Sequence, residues 1–355
     1  TEEIKMREYD DREIAEEEEY EEAPAVRHKG SFLKKLIIFL LVTALLLFGV
    51  LQILIFRYIG KVTVREKGER RFEEANLRSD DIYNLLVIGS DSRDPDLRGR
   101  TDAMILLSID KKHDRMTMTS FMRDSYVMLP EYDLDGDGNF YSEGDRCKLN
   151  AAYVYGGAEL LMDTITYNFD IAVDSYIYID FYSFIDMIDA VGGIELDIDE
   201  GEVEAINICI EAQNTLIDNP VGTDLLTSGG KKIKVNGNQA LGFARMRSVG
   251  NADFQRTERQ RTVISALFEK AKNSGLLELD KLASAVASHT VTDLSKWELY
   301  KMSYKLPFIV KYERKELRIP GQSEFSFGTG YDGSSVLSLD FEQIIGTLDR
   351  EIYGG

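Results

Sequence analysis

The sequence predicts an α/β protein whose sheet is covered by helices on both faces, with one membrane-spanning helix ahead of it. Three observations predict this. From residue 82 onward, apolar runs of strand length alternate with segments of helical spacing, a pattern that packs as a sheet between helical layers. Residues 36–56 form 21 consecutive positions without a charge, with only Thr43 and Gln52 as polar side chains. No internal repeat and no Pro- or Gly-rich linker interrupts the chain after residue 76, so one domain running to residue 355 is the simplest division.

The elements follow in order. Residues 1–31 are polar and acidic, including Glu16–Glu19, and lack apolar periodicity, so a disordered tail is expected. The apolar run, within a span at 32–59, is long enough for a hydrocarbon core of about 30 Å. It lies too far from the start for a cleaved signal peptide, and no small-residue cleavage site follows. Basic residues flank it evenly (Arg27, Lys29, Lys34 and Lys35 before; Arg57, Lys61, Arg65 and Lys67 after), so charge alone does not orient it. Residues 60–76 read as a charged stalk, helical over 65–76, and the catalytic domain is expected over 77–355.

Strands are expected at 82–90, 104–110 and 115–122, and a helix at 158–169 after a turn at Gly156–Gly157. A strand at 174–180 leads into a helix at 181–190 that Gly192–Gly193 closes, then a strand at 194–198. Helices follow at 236–245 and 254–273, then short helices and a strand at 316–319 before Pro320–Gly321.

The formal net charge of −20 argues against sequence-independent nucleic-acid binding. Cys147 and Cys209 fit no zinc spacing, and sequence leaves their pairing open. The three histidines are scattered, and no GxSxG, Walker A or Rossmann fingerprint occurs.

Against that acidic background, residues 243–262 hold five arginines (Arg245, Arg247, Arg256, Arg259, Arg261) and two acids, Asp253 and Glu258, a local +3. Arginine forks fit phosphate bidentately. The segment GSDSR (89–93) puts Asp91 and Arg93 at the carboxyl end of a strand, where ligands sit in open α/β sheets. Arg100 and Asp102 precede the next strand. Two aspartates beside arginines suit a magnesium-bridged pyrophosphate, since Mg²⁺ takes one or two carboxylates and fills its shell with phosphate oxygens and water. Alternatively, both aspartates cap turns. FMRD (121–124) brings Arg123 and Asp124 to the same edge. Arg245 and Arg247 reach one ligand only if their helix ends between them and residue 251. Asp253, Arg256 and Gln260 share a helical face, for which an ordinary solvent-exposed stripe is the competing reading. Lys148, in KLNAAYVYGG, adds a point charge for phosphate.

Taken together, GSDSR…GRTD, FMRD, KLNAAYVYGG, VGGIELDI and QALGFARMRS…DFQRTERQR resemble the LytR–CpsA–Psr family, in order over residues 76–272 and behind a transmembrane helix. Met122 departs from the family, which usually has proline before the arginine. The resemblance implies a three-layer α/β/α sandwich with a central mixed sheet and a long apolar groove for a lipid tail. It implies transfer of a glycopolymer (teichoic acid, capsule or a related glycan) from a polyprenyl-pyrophosphate carrier onto peptidoglycan, with the catalytic domain outside the cell membrane. It places metal (Mg²⁺ or Mn²⁺) on Asp91 and Asp102, and pyrophosphate on Arg93, Arg100, Arg123, Arg245 and Arg247 with Lys148 nearby. Asp253, Arg256 and Gln260 complete the head-group site; Arg259 and Arg261 fall to the helix surface with no role. Asp91, Asp102, Arg100 and Arg123 are the expected catalytic group, with Asp91 or Asp102 as base. Residues 176–191 are candidates for lining the groove, or for ordinary core. A pyrophosphatase acting on the same lipid, and a non-enzymatic lipid-pyrophosphate sensor, are the alternatives. Finally, DLDGDG (133–138) reproduces the opening of a calcium loop through Asp133, Asp135 and Asp137, although Gly144 stands at its closing position.

Overall fold

The structure is a computed structural model that describes residues 29–68, 70–90, 101–133, 140–141, 145–247 and 253–354. It divides into two units, residues 1–53 and 54–355. The first contains most of helix α1 (Lys29–Ile59), whose Lys34–Ile59 stretch has mean hydropathy 2.8 and fits a single-pass membrane anchor.

In the second unit the chain runs β1 (Thr63–Val64), β2 (Ile82–Ser90), β3 (Thr101–Asp110), β4 (Arg115–Phe121), β5 (Ser125–Met128), β6 (Tyr132–Asp133), β7 (Phe140–Tyr141) and β8 (Arg146–Lys148). There follow α2 (Leu149–Phe169), β9 (Ser175–Asp180), α3 (Phe181–Ala190), β10 (Ile194–Ile198), α4 (Val203–Leu216), β11 (Gly230–Val235), α5 (Gly237–Arg245), α6 (Asp253–Asn273) and α7 (Leu276–His289). The chain closes with β12 (Val291–Thr292), α8 (Lys296–Ser303), α9 (Leu306–Ile309), β13 (Glu313–Ile319), β14 (Phe325–Thr329), β15 (Ser335–Leu339) and α10 (Phe341–Leu348).

Seven strands form the central mixed sheet in the order β1-β12-β9-β2-β3-β4-β13. β2 pairs parallel to β9 and antiparallel to β3, and β4 pairs parallel to β13. The continuous apolar runs of β2 and β3 follow from burial on both faces. On one face Leu86, Ile88, Met104 and Leu106 pack with Leu161, Ile165 and Phe169 of α2 and Ile344 and Leu348 of α10. On the other, Leu85, Ile105, Leu107 and Met118 meet Ile264 and Phe268 of α6 and Leu299 and Met302 of α8. This is the expected three-layer sandwich. A third cluster, around Ile188, Leu196, Ile206, Ile210, Phe243 and Val263, joins α3, α4, α5 and α6 to the β10–β11 pair. The strand expected at 194–198 therefore forms in its own two-stranded sheet.

Gly156 and Gly157 break α2 into two, Gly157 with φ +71°, as the turn reading expected. The described residues of 65–76 are not helical. They run as irregular chain along the domain, because their side chains have partners there: Arg70 Nε reaches Asp163 at 2.8 Å, Phe72 packs edge-on against Tyr167, and the Asn76 amide donates to Asp170. Cys147 and Cys209 are free thiols, and burial together with Asp145 pushes Cys147 up to about 12.

Candidate active site

The site lies at the sheet edge where β2, β4, β9 and β13 finish and β3 begins. Asp102 is the second residue of β3, and Arg123 follows β4 by two residues. The turn carrying Arg123 is pinned from three sides. Met122 donates its backbone N–H to Ile319 O of β13 at 2.9 Å, Asn150 of α2 donates to Arg123 O, and Leu337 of β15 donates to Asp124 O. The Met122 side chain is fully buried and lies beside Thr257 of α6. A proline there would lose the bond to Ile319, so the departure at Met122 is matched by its surroundings.

Arg123 is the hub. Its Nε lies 2.8 Å from Asp253 and 3.4 Å from Asp124, and its Nη1 3.1 Å from Asp102. α5 ends at Arg245, and Met246 leaves helical geometry (ψ 132°), which frees Arg247 from the helix face. Arg247 then reaches Asp102 at 3.2 Å and Asp253 at 3.5 Å. Asp253 and Arg256 occupy the first turn of α6, and Arg256 Nη1 stands 3.4 Å from Asp253 and 3.7 Å from Asp102. Lys148, the residue before α2, pairs with Asp124 at 2.8 Å. Arg245 lies over the Phe181 ring at 4.5 Å.

The electrostatics follow from this crowding. Burial pushes the Asp253 carboxyl up, Arg123 and Arg247 partly offset this, and a hydrogen bond with Asp124 adds to the rise. Asp124 loses solvation too, but Lys148 and Arg123 outweigh that and hold it low. Arg123 is desolvated as well, yet Asp253, Asp124 and Asp102 together raise it, so it stays charged.

Three members of the expected head-group set are incompletely satisfied. Arg256 is only 2% exposed, and its Nε and Nη1 have no hydrogen-bond partner among the described residues. The same holds for Arg245 Nη1 and Gln260 Oε1. Buried polar groups in proteins are normally paired, and exceptions mark places where a ligand or water supplies the partner. The burial of Arg256 also removes the solvent-exposed-stripe reading of that helix face.

The structure thus brings together Asp102, Arg123, Lys148, Arg247, Asp253 and Arg256, with Arg245 and Gln260 on the neighbouring helices. Asp91, Arg93 and Arg100 lie outside the described residues. So do Asp135 and Asp137 of the acidic loop, while Asp133 ends β6. Among the described residues no group of three or more His, Cys, Asp or Glu is placed to hold a metal ion. Asp102 offers hard oxygens beside Arg123, Arg247 and Arg256, a donor set that fits a divalent ion taking most of its ligands from phosphate and water rather than from an all-protein cage.

Two expectations are corrected. Arg259 and Arg261 are not surface residues: both are buried, 6% and 7% exposed. Arg259 Nη2 pairs with Glu202 at 2.6 Å, and its Nη1 donates to Met246 O at 3.3 Å, tying α6 to the residue between Arg245 and Arg247. Arg261 bonds Ser120 Oγ at 2.8 Å and Glu316 at 3.1 Å, fastening α6 to β4 and β13. Of the two readings of residues 176–191, Tyr176 and Tyr178 follow the ordinary-core one, with Tyr178 stacked on Tyr153. Sequence reasoning gave no role to Asp124, although FMRD contains it, and missed Arg318. The latter lies over the Phe254 ring at 4.6 Å, where burial and nearby Arg261 lower its pKa.

Comparison with known proteins agrees with this geometry. A polyisoprenyl-teichoic acid–peptidoglycan teichoic acid transferase, TagU of Enterococcus faecalis, is 28% identical over 328 residues, covering 86% of this chain and 95% of that protein. The crystal structure of protein gbs0355 from Streptococcus agalactiae superposes with a TM-score of 0.62 at 27% identity, over 77% of this chain and 88% of that one. The TagT (YwtF) structure with bound octaprenyl pyrophosphate lipid shares the fold, with a TM-score of 0.55 at 21% identity over 82% and 99% of the two chains. Residues 56–348, which include every site residue above, match the LytR_cpsA_psr family, and the chain belongs to that family.

Proposed function

We propose that this protein transfers a glycopolymer of the teichoic-acid class from a polyprenyl-pyrophosphate carrier onto peptidoglycan, with residues 60–355 on the outer side of the membrane. The observation that carries the reading is the set of buried donors on Arg245 and Arg256 that no described residue satisfies, beside Arg123 and Arg247. A pyrophosphate supplies the oxygens these donors lack. The relative named as a teichoic acid transferase supports the substrate class.

In the reaction, a hydroxyl of the acceptor attacks the phosphorus that bears the glycan. The new P–O bond forms as the bond to the bridging oxygen breaks, and polyprenyl phosphate departs with that oxygen. Such transfers depend on position and charge neutralisation more than on covalent help. Arg123 and Arg247 hold the phosphates at the sheet edge, Arg245 and Arg256 take the negative charge that develops, and Lys148 adds a further point charge. Asp91 or Asp102 takes the hydroxyl proton. A Mg²⁺ ion held by Asp91 and Asp102 would screen the charge between the two phosphates.

The test uses the purified full chain in proteoliposomes, a polyprenyl-pyrophosphate-linked glycan and peptidoglycan fragments. Transfer is expected, stops on chelation and returns with Mg²⁺, and is lost in Arg123→Ala and Asp91→Ala with the fold intact. Full transfer by both variants refutes the site. Cleavage of the lipid without transfer identifies a pyrophosphatase, and binding without turnover identifies a sensor.

A further inference from the structure

The end of α1 is built into the surface of the second unit. Phe56 stacks on Tyr300 of α8 with ring centroids 5.5 Å apart, and Tyr300 stacks on Trp297 at 5.2 Å. Tyr58 donates its hydroxyl to Asp280 of α7, and Lys61 Nζ donates to Ser284 Oγ at 2.5 Å. Going forward along both segments, Tyr58 meets Asp280 and then Lys61 meets Ser284. The end of the apolar Lys34–Ile59 stretch is thus tied to α7, and Leu276 and Leu277 open α7 about one turn before Asp280. These two leucines are 87% and 82% exposed.

A second group flanks the same helix end. Trp297 is 64% exposed and Phe308 66%, with Leu306 beside it also exposed. The opposite side of α8 is accounted for, since Leu299 and Met302 pack on the sheet core. Between residues 296 and 311 there are four lysines (Lys296, Lys301, Lys305, Lys311), all exposed, and one acid, Glu298: net +3 in a chain of −20. Aromatic rings, exposed leucines and lysines whose stems cover apolar surface are the composition that lies at a membrane–water boundary.

We propose that Leu276–Leu277 and residues 296–311 dock onto the surface of an anionic phospholipid bilayer. The leucines and Trp297 enter the boundary region, and the lysines meet lipid phosphates. This rests on reading Lys34–Ile59 as a membrane-spanning helix. It gives the catalytic domain a second attachment to the bilayer in addition to the anchor.

Trp297 is the single tryptophan of the chain, so its fluorescence reports on this surface alone. The full chain is reconstituted into vesicles of phosphatidylglycerol and phosphatidylcholine, with and without acyl chains brominated near the headgroup. Flotation of the vesicles checks the anchor independently. The expected result is co-flotation, blue-shifted Trp297 emission that brominated lipid quenches, and protection from acrylamide. The triple variant Lys296→Glu, Lys301→Glu, Lys305→Glu should float equally well but lose the quenching, as should the wild-type chain in vesicles of phosphatidylcholine alone at high salt. Co-flotation with Trp297 open to acrylamide and untouched by brominated lipid overturns the docking surface and leaves the anchor standing. Failure to float overturns both.

Discussion

Replacing Arg259 by methionine tests whether this buried arginine positions Arg245 and Arg247. Methionine keeps the length and apolar stem of the side chain and removes the guanidinium. What is lost is the 2.6 Å pair with Glu202, the bond to Met246 O, the contact with Gln255 and the approach to the Phe243 ring. Breaking one side of a buried ion pair costs about 3–5 kcal/mol, mostly because the other charge stays behind without its partner. Glu202 is softened against this: its side chain is 15% exposed, and it still accepts from the Asp199 backbone at 3.2 Å. A loss of about 2–4 kcal/mol is therefore expected, which for a domain of this size lowers Tm by roughly 5–15 °C. The effect on turnover has a separate origin. Met246 lies between Arg245 and Arg247, so releasing its carbonyl loosens both. Misplacement near 1 Å can cost on the order of 100-fold in rate. The assay is thermal unfolding of the detergent-solubilised chain alongside transfer kinetics. A fall in kcat at temperatures well below the new Tm separates positioning from simple instability. Glu202→Gln, added to Arg259→Met, removes the stranded charge and should recover most of the stability but not the rate. Unchanged Tm and unchanged kcat in Arg259→Met would refute the reasoning, as would a double variant that regains full turnover.

Two further predictions concern the frame around the site. A Cβ on Gly237 would sit 2.3 Å from Ile185 O and 2.7 Å from Ile185 Cα, both backbone atoms of α3 that cannot swing aside. Gly237→Ala should therefore destabilise the domain by about 1–3 kcal/mol, read as a lower denaturation midpoint, and an unchanged midpoint would show that α3 and α5 are not seated as described. Asp110 closes the β3–β4 turn by accepting from the Lys112 and His113 amides at 3.0 and 3.1 Å. Burial opposes its ionisation, but His113 and these amides outweigh that and depress its pKa. Its contribution is accordingly present above the ordinary carboxylate value and is lost as pH falls through the depressed one. Asp110→Ala should lower Tm at neutral pH yet lose less Tm than the parent on acidification from pH 6 to pH 3; parallel curves would contradict this.

Much of the site was legible because its residues sit near strand ends and helix first turns, where short motifs fix position. Arg123 follows a strand, Asp102 starts one, and Asp253 and Arg256 open a helix. The roles of Arg259 and Arg261 were not legible. The same i, i+3 spacing serves an exposed or a buried face, and what buries them is Glu202 and Glu316, 57 and 55 residues away in sequence. Residues 65–76 misled for a related reason. Their charges suggest a solvated helix, but Arg70 is held by Asp163, 93 residues on. The small β14–β15 hairpin escaped notice because Val336 and Leu337 are its only buried residues, so no sustained apolar pattern marks it.

The short strand β1 carries a mechanical consequence. Ile59 ends α1, and Thr63 already pairs with Val291 of β12 inside the central sheet. A free tether of the length expected at 60–76 would let the enzyme sweep a radius of about 55 Å. With only three residues between helix and sheet there is no leash. A change of length at residues 60–62 is then passed to the register of β1 on β12 rather than absorbed by slack chain.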